Sequence, residues 1–135
     1  MKTILVFLVF VSCLNQNEMN NIFLENLKES YSIKDTLQLS LTNKSKTPLN
    51  YFIGLECLID NEWREIINDI NNPISQASIV LKLLPNEKRN GEYLLVNVLN
   101  KYSSKYDTFR IKINYGGTIS TINKQYYSKS FRILK

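Results

Sequence analysis

The sequence predicts an all-β domain, an antiparallel sandwich of seven or eight strands, and three observations predict it. Short runs with alternating apolar residues recur from Ile22 onward, separated by polar clusters that form turns. The chain is rich in Ile, Leu, Tyr, Asn and Lys and nearly lacks Ala, a balance that favours pleated strands over long helices. No convincing helix of ten residues is legible, which argues for a sandwich rather than a parallel α/β sheet.

In chain order, Met1 and Lys2 supply a short positive start, and residues 3–11 (TILVFLVFV) are an unbroken apolar stretch. Ser12, Cys13 and a polar run (Leu14-Asn15-Gln16-Asn17-Glu18) follow at once. A charge, a short apolar run and a small residue describe a secretory signal. The run is too short to cross a hydrocarbon core, which takes about 20 residues as a helix. Residues 1–12 are therefore expected to be removed, 13–21 to form a flexible tether, and 22–135 to fold as one domain.

Within that domain, 22–28 (IFLENLK) reads as a first strand and 36–42 (TLQLSLT) as a second, with Leu37, Leu39 and Leu41 on one face. A loop precedes 51–60 (YFIGLECLID), whose Tyr51, Ile53, Leu55, Cys57 and Ile59 share a side. Asp60-Asn61 reads as a tight turn into 62–67 (EWREII), making a hairpin. Residues 68–77 are polar, carry Pro73 and read as a loop. Strands are then expected over 78–84, 91–99, 106–115 and 125–134, with Gly116-Gly117 as a turn.

Two resemblances sharpen this. Phe10-Val11-Ser12-Cys13 resembles the lipobox of bacterial lipoproteins. That resemblance implies a diacylglyceryl group on the thiol of Cys13, cleavage after Ser12, and a domain lipid-anchored in the cell envelope, at the outer membrane where the cell has one. Further on, 36–45 (TLQLSLTNKS), the strand 51–59 followed by Trp63, the step Leu84-Pro85-Asn86-Glu87 and Phe109-Arg110-Ile111 resemble bacterial immunoglobulin-like domains. Asn86 stands where those families have Gly. This resemblance implies an immunoglobulin-like sandwich acting as a structural or adhesive module, with no catalytic residue carried over.

Composition narrows the chemistry. The chain has no His, so the most common acid–base group and metal ligand are missing. Its two cysteines, Cys13 and Cys57, cannot make a zinc site, and no cofactor is implied. Cys57, on an apolar face, reads as a core residue, and so does Trp63. Glu56, Asp60, Glu62, Glu65 and Asp69 crowd one hairpin and its exit, where Asp60, Glu56 and Glu62 are expected to face water rather than to converge as a catalytic pair.

Charge is unevenly spread: residues 14–80 carry a balance of −4 and residues 81–135 a balance of +8. Arg110, Lys112, Lys129 and Arg132 alternate with apolar residues on the last strands and suggest a basic stripe on one sheet face. Such a stripe suits anionic lipid headgroups, an anionic glycan or an acidic envelope protein, while edge lysines also block sheet-to-sheet aggregation without any ligand. Nucleic acid is not an expected partner of an exported chain. The function this predicts is a membrane-anchored, non-catalytic binding or structural module. The alternative is a protease inhibitor or an accessory subunit of an envelope complex. The intracellular proteinase inhibitors of bacilli are similar in strand pattern, and the loop 68–77 would be the inhibitory element.

Overall fold

The computed structural model describes residues 21–73 and 77–134. The proposed signal, Cys13 and nearly all of the tether lie outside the described residues. Two sheets enclose one core. The first contains β1 (Ile22–Glu25), β3 (Thr36–Asn43) and β7 (Lys88–Leu94), paired in the order β1-β3-β7. The second runs β2 (Ser30–Ser32), β10 (Phe131–Leu134), β8 (Thr108–Gly116), β4 (Leu49–Ile59), β5 (Glu62–Ile67). Short β6 (Leu81–Leu83) adds to β4, and β9 (Lys124–Tyr127) adds to β8. Lettered as immunoglobulin strands, these are A-B-E and A′-G-F-C-C′, with the first strand divided between the sheets. The domain is an immunoglobulin-like β-sandwich.

Ten strands are described where seven or eight were expected, because the expected strand 125–134 is broken once and β2 lies beyond the expected first strand, 22–28. The chain leaves the first sheet at Asn26, whose φ of 70° turns it away from β3, and rejoins the second sheet at Ser30. β9 and β10 lie end to end along the same side of β8, separated at residues 128–130. β2 runs parallel to β10.

Alternation places the core as the sequence predicted. Leu37, Leu39 and Leu41 from one sheet meet Tyr51, Ile53, Leu55, Ile111 and Ile113 from the other, all at most 3% exposed. Burying each aliphatic side chain contributes roughly 1.5–3 kcal/mol. Phe131 is stacked near Phe109 at 6.0 Å and takes the edge of Tyr31 at 5.4 Å, tying the split first strand to the last.

The resemblance residues have a local reason. Asn43 is fully buried; its amide donates to the carbonyls of Thr47 (2.8 Å) and Leu83 (3.0 Å) and accepts from the Ser45 N–H and hydroxyl. Asn86 donates its N–H to the Asn43 carbonyl, and the Glu87 carboxylate accepts the Leu84 N–H at 2.7 Å. The Asn-x-Ser strand end and the Leu-Pro-Asn-Glu turn are thus one hydrogen-bonded unit.

One expected strand is in part a helix. Residues 91–99 were expected to be a strand, yet β7 ends at Leu94 and α1 (Leu95–Ser103) follows. Leu95 and Leu99 are fully buried and Tyr102 packs beside them, the i, i+4, i+7 spacing of one helical face. Leu94, by contrast, is half exposed. A short apolar run fits either period, and packing decided it.

Candidate binding surface

The outer face of the second sheet collects the charged residues of β4, β5 and β8. β8 pairs with β4 so that Arg110 stands directly opposite Glu56. The guanidinium donates from Nε and Nη2 to Glu56 Oε2 at 2.7 and 2.6 Å. It is also stacked between two rings, 4.4 Å from the centre of Trp63 and 4.2 Å from that of Tyr127. Lys112, two residues along, donates to Glu65 on β5 at 2.9 Å. The ladder therefore ties three strands together through alternating charge.

Two expectations are corrected here. Trp63 is not a core residue: it pairs with Leu58, one position from buried Cys57 and so on the opposite, outer face. Glu56 does not face water: it is buried beneath Arg110. The three hairpin glutamates each turn to a cation and not to one another, Glu62 meeting Arg64 at 3.5 Å, Glu65 meeting Lys112 and Glu56 meeting Arg110. Asp69 is fully buried and holds a loop, accepting the N–H of Asn71 at 3.0 Å and of Ile79 at 2.6 Å. Cys57 lies in the core, its thiol pushed up to about 11 by burial and, less, by the negative charge of Asp107. Among the described residues, no three His, Cys, Asp or Glu side chains converge to hold a metal.

The four proposed anion contacts divide into two places. Arg110 and Lys112 share the sheet face, each bound to a carboxylate. Arg132 and Lys129 lie at the flank beside β9 and β10. Arg132 meets Asp107 at 2.8 Å and holds that carboxyl below its ordinary range, while Lys129 is exposed and makes no ion pair among the described residues. The signal for the Arg110 pair was legible as same-face alternation; its partner, 54 residues away, was not.

That flank carries a groove of about 940 Å³, larger than the crevice of about 220 Å³ beside Tyr51, Arg89 and Tyr93. The groove opens where the first strand crosses between sheets. Phe23, Leu24 and Leu27 form one wall, and Tyr126, Lys129 and Arg132 the other. Phe23 is 49% exposed and lines this groove. Sequence reasoning missed this site because it depends on the strand break at residues 26–29.

No helix among the described residues is long and apolar enough to cross a membrane. No family model matches the chain, and neither does any curated protein. Among solved structures, the sandwich is similar to part of a mutant (D270A) β-glucosidase from Listeria innocua in complex with laminaribiose, at 10% identity and a TM-score of 0.47. The match covers 84% of this chain but 16% of the glucosidase. It is also similar to the ASH/PapD-like domain 7 of human CEP192, at 9% identity and a TM-score of 0.38, covering 97% of this chain and 94% of that one. Both TM-scores fall below 0.5, so the fold assignment rests on the strand order described above.

Proposed function

We propose that this chain is an exported lipoprotein whose immunoglobulin-like sandwich is a non-catalytic binding module, held at the envelope membrane by acyl chains on Cys13. The observation that carries the reading is the disposition of its two cysteines. One follows a positive start, an apolar run and a small residue. The other is sealed in the core with its thiol kept protonated. Two or more acyl chains anchor a domain stably where one exchanges. The pairing of the hairpin carboxylates with Arg110, Lys112 and Arg64 supports a binding rather than a catalytic role.

Mass measurement of the N-terminal peptide from native membranes tests the anchor. The expected species starts at Cys13 and carries the added mass of the acyl groups, and Cys13→Ser moves the protein to the soluble fraction. An unmodified thiol on Cys13 in native material overturns the reading.

A second reading, protease inhibition through the loop 68–77, is favoured by one observation. Buried Asp69 braces both sides of that loop, and Asn72 donates to the Ala77 carbonyl at 3.1 Å. A stiff loop base is what an inhibitor requires. A panel of serine and cysteine proteases left fully active by the purified protein rejects it.

A further inference from the structure

Two strand edges lacking a neighbour among the described residues flank the large groove. β1 is the end of its sheet, and β9 is paired only with β8 among the described residues. Further along the same side of β8, β10 does have an outer neighbour: β2 lies on it in parallel, Arg132 opposite Ser30 and Ile133 opposite Tyr31. Continuing the line of β2 backward would bring chain alongside β9. Instead the chain turns away at residues 26–29 to become β1 in the other sheet, and the groove opens there.

The backbone of β9 is set to receive a strand. Ser128 donates its N–H to Ile111 at 3.0 Å, and Ile113 is opposite Tyr126. In an antiparallel ladder the bonded positions alternate, so Tyr126 points its N–H and C=O toward β8 while Gln125 and Tyr127 point theirs outward. We infer that the groove is a docking site for an extended peptide from a partner protein, which adds to β9 as a strand parallel to it and continues the line of β2. Its apolar side chains would face Phe23, Leu24, Leu27 and Tyr126.

Charge selects the chemistry of that peptide. Of the five charged side chains lining the groove, Glu25 is held by Lys88 and Arg132 by Asp107. Lys28 and Lys129 remain against Glu29, all exposed and without an ion pair among the described residues. The peptide is therefore acidic, with apolar residues at alternate positions. A lipid surface satisfies this site less well, because the groove is concave and the outward amides of the β9 edge beside it demand directional partners. The inference rests on the sandwich being a binding module and is independent of lipid on Cys13, which the mass measurement decides separately.

The test uses the purified full chain in detergent and a synthetic seven-residue peptide alternating glutamate and isoleucine. Amide exchange at Gln125 and Tyr127 is expected to be fast without peptide and at least about tenfold slower at saturation. Gln125→Pro removes one outward donor without touching the β8 ladder and should weaken binding at least about tenfold. Phe23→Glu should weaken it comparably, which keeps the test valid if the proline variant fails to fold. A lysine–isoleucine peptide should bind more weakly than the acidic one. The inference is overturned by any of four results: edge amides already protected in the unliganded chain, which means that the chain or a second copy covers them; equal protection by phosphatidylglycerol micelles without peptide; no protection by the acidic peptide at millimolar concentration; or equal binding by folded Gln125→Pro and Phe23→Glu.

Discussion

Arg110 joins a buried carboxylate to two aromatic rings on the outer face of the second sheet. It neutralises Glu56, whose side chain is 8% exposed, and fills the slot between Trp63 and Tyr127. Removing one partner of a buried pair strands the other charge, at a cost of about 3–5 kcal/mol, whereas removing both is far milder. Stacking on the two rings adds roughly 0.5–1 kcal/mol each where exposed. Arg110→Ala is thus expected to lose about 3 kcal/mol or more in urea unfolding. The double variant Glu56→Gln, Arg110→Ala should lose less than the sum of its parts; strict additivity contradicts the pairing. The orientation of Trp63 was legible in principle. A two-residue turn at Asp60-Asn61, both with positive φ, fixes Ile59 opposite Glu62 and Leu58 opposite Trp63. Since Cys57 faces inward, Leu58 and Trp63 must face outward. Strand tryptophans of sandwiches more often pack between the sheets, but the register set by this turn sends Trp63 outward.

At the scale of elements, β4 and β8 were legible because both alternate over a long run and the sheet interior admits only one face of each. The helix was not, because Leu94, Leu95, Val96, Val98 and Leu99 satisfy a strand and a helical period alike. The structure separates the two by burial: Leu99 is fully buried and Val96 is 39% exposed. Leu99→Ala should therefore cost about 2–4 kcal/mol and Val96→Ala less than about 0.5 kcal/mol, measured by thermal or urea unfolding. A strand over the same residues would point Val96 and Val98 the same way, whereas the helix packs Val98 against the core and leaves Val96 outside; equal losses at Val98 and Val96 would count against the helix. The turn after β6 makes a second prediction. Glu87 donates its N–H to the Leu84 carbonyl, with Pro85 and Asn86 between them and Asn86 at φ 59°. Asn tolerates that left-handed backbone, Gly adopts it freely and β-branched residues resist it. Asn86→Gly is expected to leave stability unchanged or slightly higher, and Asn86→Val to lower it by about 1–2 kcal/mol.

Across the whole molecule, carboxyl pairing on the acid side and core burial on the alkaline side set the pH range in which the fold holds. Three half-buried carboxyls sit below their ordinary values: Glu25 because of Lys88, Glu87 because of the Leu84 N–H and then Arg89, and Asp107 because of Arg132. Each contributes stability that is present above about pH 4.5, its unfolded value or higher, and is lost as acid protonates the folded form. On the alkaline side the sign reverses. Burial raises Tyr31, Tyr51, Tyr93 and Tyr126 above the ordinary 10.0, and lifts Cys57 from 9.0 to about 11. The folded chain then keeps protons that the unfolded chain releases, so stability is full below pH 9 and falls from there upward. The thiol acts first, because its unfolded value is the lowest of these five. Cys57→Val, close in volume and without a proton to lose, should track the wild type between pH 6 and 8. From about pH 9 to 11 the melting temperature of the variant should fall more slowly than that of the wild type. Two parallel curves through that window would mean that Cys57 ionises as readily in the fold as out of it, which a thiol sealed between the two sheets cannot do.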